Sequence, residues 1–128
     1  METNMIHKLL LYSFIFLYGI AGILHFVQPD LYLEVIPEWL GNKVIINYLA
    51  GAMELLVAIL AYSKNTRVVA VYITIAMLLA FTISHVYFIQ QGSCAGTFCI
   101  APWIAWVRLL IIHPLLIWWA WSIRKISY

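Results

Sequence analysis

The sequence has 128 residues, of which 66% are hydrophobic and 9% are charged, and its formal net charge is +2. A soluble globular domain carries about 25% charged residues, so this composition excludes a soluble enzyme and predicts an integral membrane protein. The seven Lys and Arg residues are too few and too dispersed to form a nucleic-acid-binding patch. We therefore expect one membrane domain over residues 1–128, surrounded by lipid and without a nucleic-acid partner.

Four apolar runs predict the elements of this domain, and they cover residues 9–27, 44–62, 68–89 and 103–123. Each run is close to the ~20 residues that a helix needs to cross ~30 Å of hydrocarbon at ~1.5 Å per residue. The first run is longer than the apolar part of a signal peptide and lacks a small-residue cleavage site, so we expect it to be retained. The predicted fold class is all-α, a bundle of four transmembrane helices.

A shorter element is predicted between the first two runs. Pro29–Pro37 interleaves acidic and apolar residues, which is typical of a short amphipathic segment lying at a membrane surface. Asp30 is a candidate helix cap, and Trp39 is a candidate anchor at the level of the lipid headgroups. We expect this segment to form a lid over the mouth of the bundle.

Orientation follows from the basic residues, which remain preferentially on the cytoplasmic side. They flank the apolar runs at three places: Lys8, the pair Lys64 and Arg67, and the pair Arg124 and Lys125. All three places share the cytoplasmic face only if both termini are cytoplasmic, and the connections 28–43 and 90–102 then face outward. We expect a multi-pass protein of the cell inner membrane in this orientation.

Five ionisable side chains lie inside the apolar runs: His25, Glu54, His85, Arg108 and His113. Such residues are costly in hydrocarbon and usually mark a functional site. By depth, four polar residues fall near the outer ends of the four runs, namely His25, Asn47, His85 and Arg108. Because Glu54 and His113 lie a turn or two further inward, the pattern predicts a polar funnel that opens outward and has Glu54 as its floor.

The residue types in this funnel favour proton chemistry. We expect a catalytic, proton-moving role for Glu54, His25 and His85. Ligand contacts are expected from four further residues, namely Arg108, Asn47, Tyr18 and His113. On a regular helix His113 lies about 140° from Arg108, so its side chain is the least convergent of the set.

Helical spacing supports part of this arrangement. Tyr18, Gly22 and His25 share one helix face, and Asn47, Gly51 and Glu54 share another. The glycines are expected to let the two backbones approach closely beside the polar groups.

Each polar residue also has a structural interpretation. Glu54 and Arg108 would form a buried ion pair that joins two helices. His25, His85 and His113 would make interhelical hydrogen bonds without catalysing anything, and Tyr18 would belong to the core.

The two cysteines, Cys94 and Cys99, lie in the second outward connection. A short loop in an oxidising compartment favours a structural disulfide, while a redox-active pair and free thiols are the alternatives. The C-x4-C spacing differs from the C-x-x-C of thioredoxin-like proteins, and two cysteines are too few for a zinc site. We predict no metal site here.

Three short segments resemble DoxX-like membrane proteins. The first comprises Gly22–Phe26 with the following Pro29, Tyr32 and Ile36–Pro37; the others are Ala50–Leu55 and Trp106–Leu109. The resemblance extends from about residue 19 to residue 120. It implies a four-helix membrane bundle from a family associated with quinone-linked sulfur oxidation and, in some members, with redox or thiol homeostasis.

The resemblance also implies roles for particular positions. His25, Glu54 and Arg108 match positions that are typical of the polar core in that family. His85 stands where many relatives have Asn, and residues 108–112 read Arg-Leu-Leu-Ile-Ile where the family usually has Arg-Leu-Pro-Leu-Gln.

Two functional hypotheses follow. The first is a redox-associated subunit that binds a quinone or a similar small molecule in the outward-facing funnel and works with a redox partner protein. The second is a noncatalytic binding or assembly protein whose polar core fixes the register of its helices. A metal or haem held between His25 and His85 is a further alternative, although the sequence has no attachment motif. Whether the chain is an enzyme stays open.

Overall fold

The computed structural model describes the backbone of residues 2–127 and the side chains of residues 4–127. Within that range it contains four helices that are long and apolar enough to cross a membrane. They are α1 (Glu2–Val27), α3 (Lys43–Tyr62), α4 (Arg67–Gln90) and a composite helix made of α5 (Pro102–Val107), a π-helical turn (Arg108–Ile112) and α6 (His113–Ile123). The prediction of an all-α four-helix membrane bundle is confirmed.

The four helices form a closed ring. α1 packs on α3, α3 on α4, α4 on α6, and α6 returns to α1. Successive helices run antiparallel because short connections join them. We call the end that holds connections 28–42 and 91–101 the hairpin end, and the end that holds both termini and the turn 63–66 the terminal end.

The apolar core lies between the helices, and the outer faces of the helices are apolar as well. Phe14, Val57, Ala70, Ala120 and Ile123 are completely buried. In the most apolar stretch of each long helix, only 17–33% of the residues are buried inside the protein. Most of the apolar helix surface therefore faces outward, as expected for helices surrounded by lipid.

Glycines set the distance between α1 and α3. A Cβ atom added to Gly51 would lie 2.5 Å from the Cβ of His25, and one added to Gly22 would lie 2.9 Å from the carbonyl oxygen of Gly51. No larger residue fits this crossing without a shift of one helix. The expectation that small residues let these backbones approach is confirmed, and the contact fixes His25 against α3.

The first connection folds over the hairpin end as α2 (Asp30–Leu33) and a 3₁₀ turn (Glu38–Leu40). The prediction that Asp30 caps this segment is wrong. Asp30 is the first helical residue, and the preceding Pro29 makes no side-chain capping bond. The first N–H groups of the segment instead donate to backbone carbonyls, as Leu31 does to Gln28 and Tyr32 does to Pro29.

The second connection forms a small hairpin of β1 (Cys94–Ala95) and β2 (Phe98–Cys99). The strands are antiparallel with Cys94 opposite Cys99, and a disulfide joins these two residues. The turn uses Gly96, which has a φ of +61° and therefore adopts a conformation that favours glycine.

A π-helical turn interrupts the fourth long helix at residues 108–112. The backbone N–H of His113 donates to the carbonyl of Arg108, five residues earlier. Pro114, which follows, has no N–H and its ring would collide with the carbonyl four residues before it in a regular helix, so the widened turn relieves that conflict. The angle of about 140° expected between Arg108 and His113 assumes a regular α-helix, so it does not apply across this turn.

Candidate functional site

A cavity of about 420 Å³ lies between the helices at the hairpin end. This volume suits a small organic molecule. Apolar side chains from the first connection, α3 and α4 form most of its wall. The polar residues that line it are His25 from α1, Asn47 and Glu54 from α3, Ser84 and His85 from α4, and Arg108 from the π-helical turn.

One wall of the cavity is a hydrogen-bonded group of three side chains from α1 and α3. The Nδ2 of Asn47 donates to the carbonyl oxygen of His25 at 2.9 Å, and the Nδ1 of His25 lies 2.7 Å from the Oδ1 of Asn47. The Nε2 of His25 lies 3.3 Å from the Oε2 of Glu54. His25, Asn47 and Glu54 are all at least 94% buried. The start of α3 is fixed by Asn42, whose side chain caps the helix.

This arrangement is suited to hold one proton between His25 and Glu54. Because the amide nitrogen of Asn47 is used as a donor, its Oδ1 is an acceptor and the Nδ1 of His25 carries the hydrogen. The Nε2 of His25 then faces Glu54, and a lone pair there would repel a carboxylate. A proton on either the imidazole or the carboxyl group removes that repulsion, so the pair can exchange one proton with a group in the cavity.

The contact between His25 and Glu54 is an ion-pair distance without full hydrogen-bond geometry. The Oε2 of Glu54 and the Oη of Tyr18 are the two buried side-chain atoms without a hydrogen-bond partner among the described residues. A buried acceptor with no such partner is costly. Glu54 therefore retains capacity to bond a group that enters the cavity.

The first connection covers this wall with an aromatic ring. The ring of Tyr32 stacks on His25 with centroids 3.7 Å apart and planes inclined by 16°. Burial raises the pKa of the Tyr32 hydroxyl, and the charge of Glu54 raises it further. Because Tyr32, Val35 and Ile36 also line the cavity, the lid expected from the sequence lies over the polar residues.

His85 and Arg108 also line the cavity. The guanidinium carbon of Arg108 lies 5.1 Å from the centre of the Phe88 ring. The structural alternative, an ion pair between Glu54 and Arg108, is not found among the described residues, because Glu54 faces His25 instead. Within the described residues the Arg108 side chain has no hydrogen-bond or ion-pair partner.

Two predicted ligand contacts lie outside the cavity lining. The Nε2 of His113 donates to the carbonyl of Leu78 and lies 3.1 Å from the Oγ1 of Thr82, so this histidine links α6 to α4. Tyr18 is buried with its ring 4.6 Å from that of Phe14. The structure thus brings together the other five predicted residues, namely His25, Asn47, Glu54, His85 and Arg108.

Sequence reasoning missed three aromatic residues of the site, namely Tyr32, Phe81 and Phe88. Phe88 lies three residues after His85, so helical spacing already placed the two on one face of α4. The stacking of Tyr32 on His25 depends on how the chain turns after α1, and no local pattern signals that turn.

The donor arrangement bears on the metal alternative. Among the described residues, no group of three or more His, Cys, Asp or Glu side chains is placed to hold a metal ion. Both ring nitrogens of His25 already face side-chain oxygens. The wall thus offers hydrogen-bonding side chains and one buried histidine–carboxylate pair.

Comparison with known proteins gives a family without a described activity. No curated protein and no solved structure matches the chain. A family model described as a domain of unknown function (DUF8561) matches residues 14–124, which include all four long helices for most of their length and every polar residue of the cavity. The chain belongs to the DUF8561 family.

Proposed function

We propose that the chain is a membrane subunit that binds a small, largely apolar molecule of the quinone class in the cavity at the hairpin end. The observation that carries this proposal is the buried contact between His25 and Glu54 in the lining of an apolar cavity. Paired ionisable groups beside an apolar pocket are the usual mark of a ligand or proton site.

The chemistry of a quinone matches the distribution of polar groups. A quinone is a flat apolar ring with two carbonyl oxygens at opposite edges, and each oxygen accepts hydrogen bonds. The cavity lining offers the guanidinium of Arg108 as one donor and the carboxyl group of Glu54, when it carries a proton, as a second donor, among mostly apolar side chains. The two oxygens of such a molecule would take up both groups.

Reduction of a quinone to a quinol adds two electrons and two protons, so that each carbonyl becomes a hydroxyl. A redox partner protein of the chain supplies the electrons in this proposal. The pair of His25 and Glu54 supplies one proton at a time and is reprotonated before the next transfer. The resemblance of the sequence to DoxX-like proteins, which we extend here as a proposal, agrees with a quinone-linked role.

We further propose that the hairpin end faces outward from the inner membrane. Lys64, Arg124 and Lys125 lie at the terminal end, which favours a cytoplasmic position for it. The disulfide at the other end suits an oxidising compartment. A cysteine at Asn65 should resist an impermeant thiol reagent in intact cells, whereas one at the exposed Glu38 should react. The reverse pattern would invert the orientation.

The noncatalytic alternative has one specific observation in its favour. The reciprocal bonds between His25 and Asn47 join α1 to α3 and would hold helix register without any ligand. An assembly protein of this kind keeps its properties when the cavity is filled, so the following experiment separates the two functions.

A matched pair of variants, in which one of two alanines on α3 is replaced by phenylalanine, tests the proposal. Ala50 lines the cavity, while Ala52 on the same helix is exposed on the outer surface. We expect wild-type protein and Ala52→Phe, purified gently in lipid nanodiscs, to retain an organic ligand that mass spectrometry and the absorption spectrum detect. Ala50→Phe should fold and lose that ligand. Equal retention by both variants, or none in the wild type even after 1,4-naphthoquinone is added, would contradict the proposal.

A further inference from the structure

Arg108 is a cation in the cavity wall for which the described part of the protein provides no counter-charge. Its guanidinium lies beside the ring of Phe88, and it is half-buried. A ring face attracts the cation but leaves the five N–H donors without acceptors. The donors of Arg108 are therefore available to a group that enters the cavity.

No acidic residue of the hairpin end is paired with Arg108 in the described part of the chain. The ion pairs there join Glu54 to His25 and Glu38 to Lys43. His85 lines the same cavity, and an imidazole is either neutral or cationic, so it supplies no negative charge. The Arg108 guanidinium is therefore a cavity-lining cation without a paired carboxylate.

An arginine held within a membrane span without a partner is costly, and natural proteins place such residues where a ligand or water completes them. The same protein supplies three carbonyl acceptors to Arg67 at the terminal end. Arg108 has no comparable acceptors among the described residues, and its guanidinium contacts the ring of Phe88 instead. A negatively charged ligand oxygen would supply both the missing charge and the missing acceptors.

We propose that Arg108 forms an oxyanion subsite, so that the ligand binds as an ionised organic acid with an apolar body. The charged oxygen belongs either to an acidic ring hydroxyl or to a carboxylate. This inference rests on the proposed ligand site and adds to it the class of ligand. The guanidinium rests on Phe88, and the pair of His25 and Glu54 lines the same cavity.

Pairs of probes with and without the charge test this subsite. One arm compares 2-hydroxy-1,4-naphthoquinone, which is ionised at neutral pH, with its neutral 2-methoxy analogue. The other arm compares 2-naphthoate with its methyl ester. Affinities are measured by calorimetry on protein in nanodiscs, for the wild type, Arg108→Gln, Arg108→Lys and the control Arg124→Gln. Arg124 lies at the terminal end against Trp121, outside the cavity lining.

We expect the wild type and Arg124→Gln to prefer the ionised member of one arm by about tenfold or more, which is the usual worth of a charged hydrogen bond. Arg108→Gln should abolish that preference while still binding the neutral member, and Arg108→Lys should retain part of it. The arm that responds identifies the oxyanion as a ring hydroxyl or a carboxylate.

Two other outcomes have distinct meanings. Equal affinities for ionised and neutral probes in the wild type, or a preference that survives in a folded Arg108→Gln protein, would overturn the anionic subsite and leave the proposed ligand site intact. Failure of all four probes to bind the wild type would overturn the proposed function and this inference with it.

Discussion

Each end of the bundle contains an arginine within a long apolar helix, and the two arginines differ in the hydrogen-bond acceptors that surround them. At the terminal end, Arg67 is completely buried. It donates to the carbonyls of Ala61 at 2.7 Å and Tyr62 at 2.9 Å in the last turn of α3, and to that of Ile126 beyond α6. At the hairpin end, Arg108 has no such acceptor among the described residues and lines a cavity. The first arrangement completes the fold, and the second leaves binding capacity for another molecule.

The comparison extends to the neighbouring histidines. The Nε2 of His113 donates to the carbonyl of Leu78 and joins two helices. The Nε2 of His25 lies 3.3 Å from a carboxylate oxygen at the cavity wall. We interpret a buried polar group as structural where its hydrogen bonds are made within the protein, and as a candidate ligand contact where some remain open.

The largest expected effect on stability comes from replacing each of the two arginines separately with glutamine. Arg67→Gln should lower the free energy of unfolding by about 3–5 kcal/mol, because charged hydrogen bonds to several carbonyls are lost. Arg108→Gln should change it by about 1 kcal/mol or less. Unfolding in mixed micelles by denaturant titration measures both. Equal losses would remove the distinction between the two ends.

Gly51 provides a more local test at the hairpin end. Gly51→Ala should cost about 1–3 kcal/mol, because its Cβ would lie 2.5 Å from that of His25 and one helix must shift. Gly19→Ala is the control, since no atom lies within 4 Å of the added Cβ, and it should be neutral or stabilising. The same titration compares them. A tolerated Gly51→Ala would mean that the α1–α3 contact does not position His25.

The disulfide separates stability from binding at the hairpin end. Replacing both Cys94 and Cys99 with serine should lower the free energy of unfolding by about 2 kcal/mol at most, since the closed loop is short. Binding of 1,4-naphthoquinone should stay largely intact because neither cysteine lines the cavity. Loss of all binding in a folded double variant would assign the pair a direct role.

Glu54 is expected to show the smallest change in stability. The amide of Glu54→Gln can donate to the Nε2 lone pair of His25, so the free energy of unfolding should fall by about 1 kcal/mol or less. Glu54→Leu has no donor and should cost more. Replacing Arg108 as well should not rescue either variant. A rescue would show that Glu54 and Arg108 are paired after all.

Composition and run length were sufficient to predict the fold. The bounds of α3, α4 and the composite fourth helix lie within one residue of the predicted runs, because the thickness of the membrane dictates helix length. The position of each residue along its run also predicted that His25, Asn47 and Glu54 lie near the same end of the bundle, because the end of one helix lies beside the start of the next in an antiparallel bundle.

The partners of these residues were harder to predict. The sequence left an ion pair between Glu54 and Arg108 as one alternative, but rotation of the helices about their axes places Glu54 against His25. Rotation depends on packing, here on the Gly22 and Gly51 contact, and single-helix spacing does not determine it. Likewise, Arg67 was interpreted as an orientation signal. Its carbonyl partners are Ala61 and Tyr62 at the end of the preceding helix and the distant Ile126, and the last of these has no local sequence signal.

The central claim is that the hairpin end holds a ligand site with a movable proton, and histidine NMR tests it most directly. Protein labelled with ¹⁵N-histidine is titrated with 1,4-naphthoquinone, and a His25→Gln variant assigns the relevant signals. We predict that the ring nitrogens of His25 shift on binding, that those of His113 do not, and that Glu54→Gln reduces the His25 response. An unchanged His25 signal in protein that calorimetry shows to be saturated with the quinone would contradict the account.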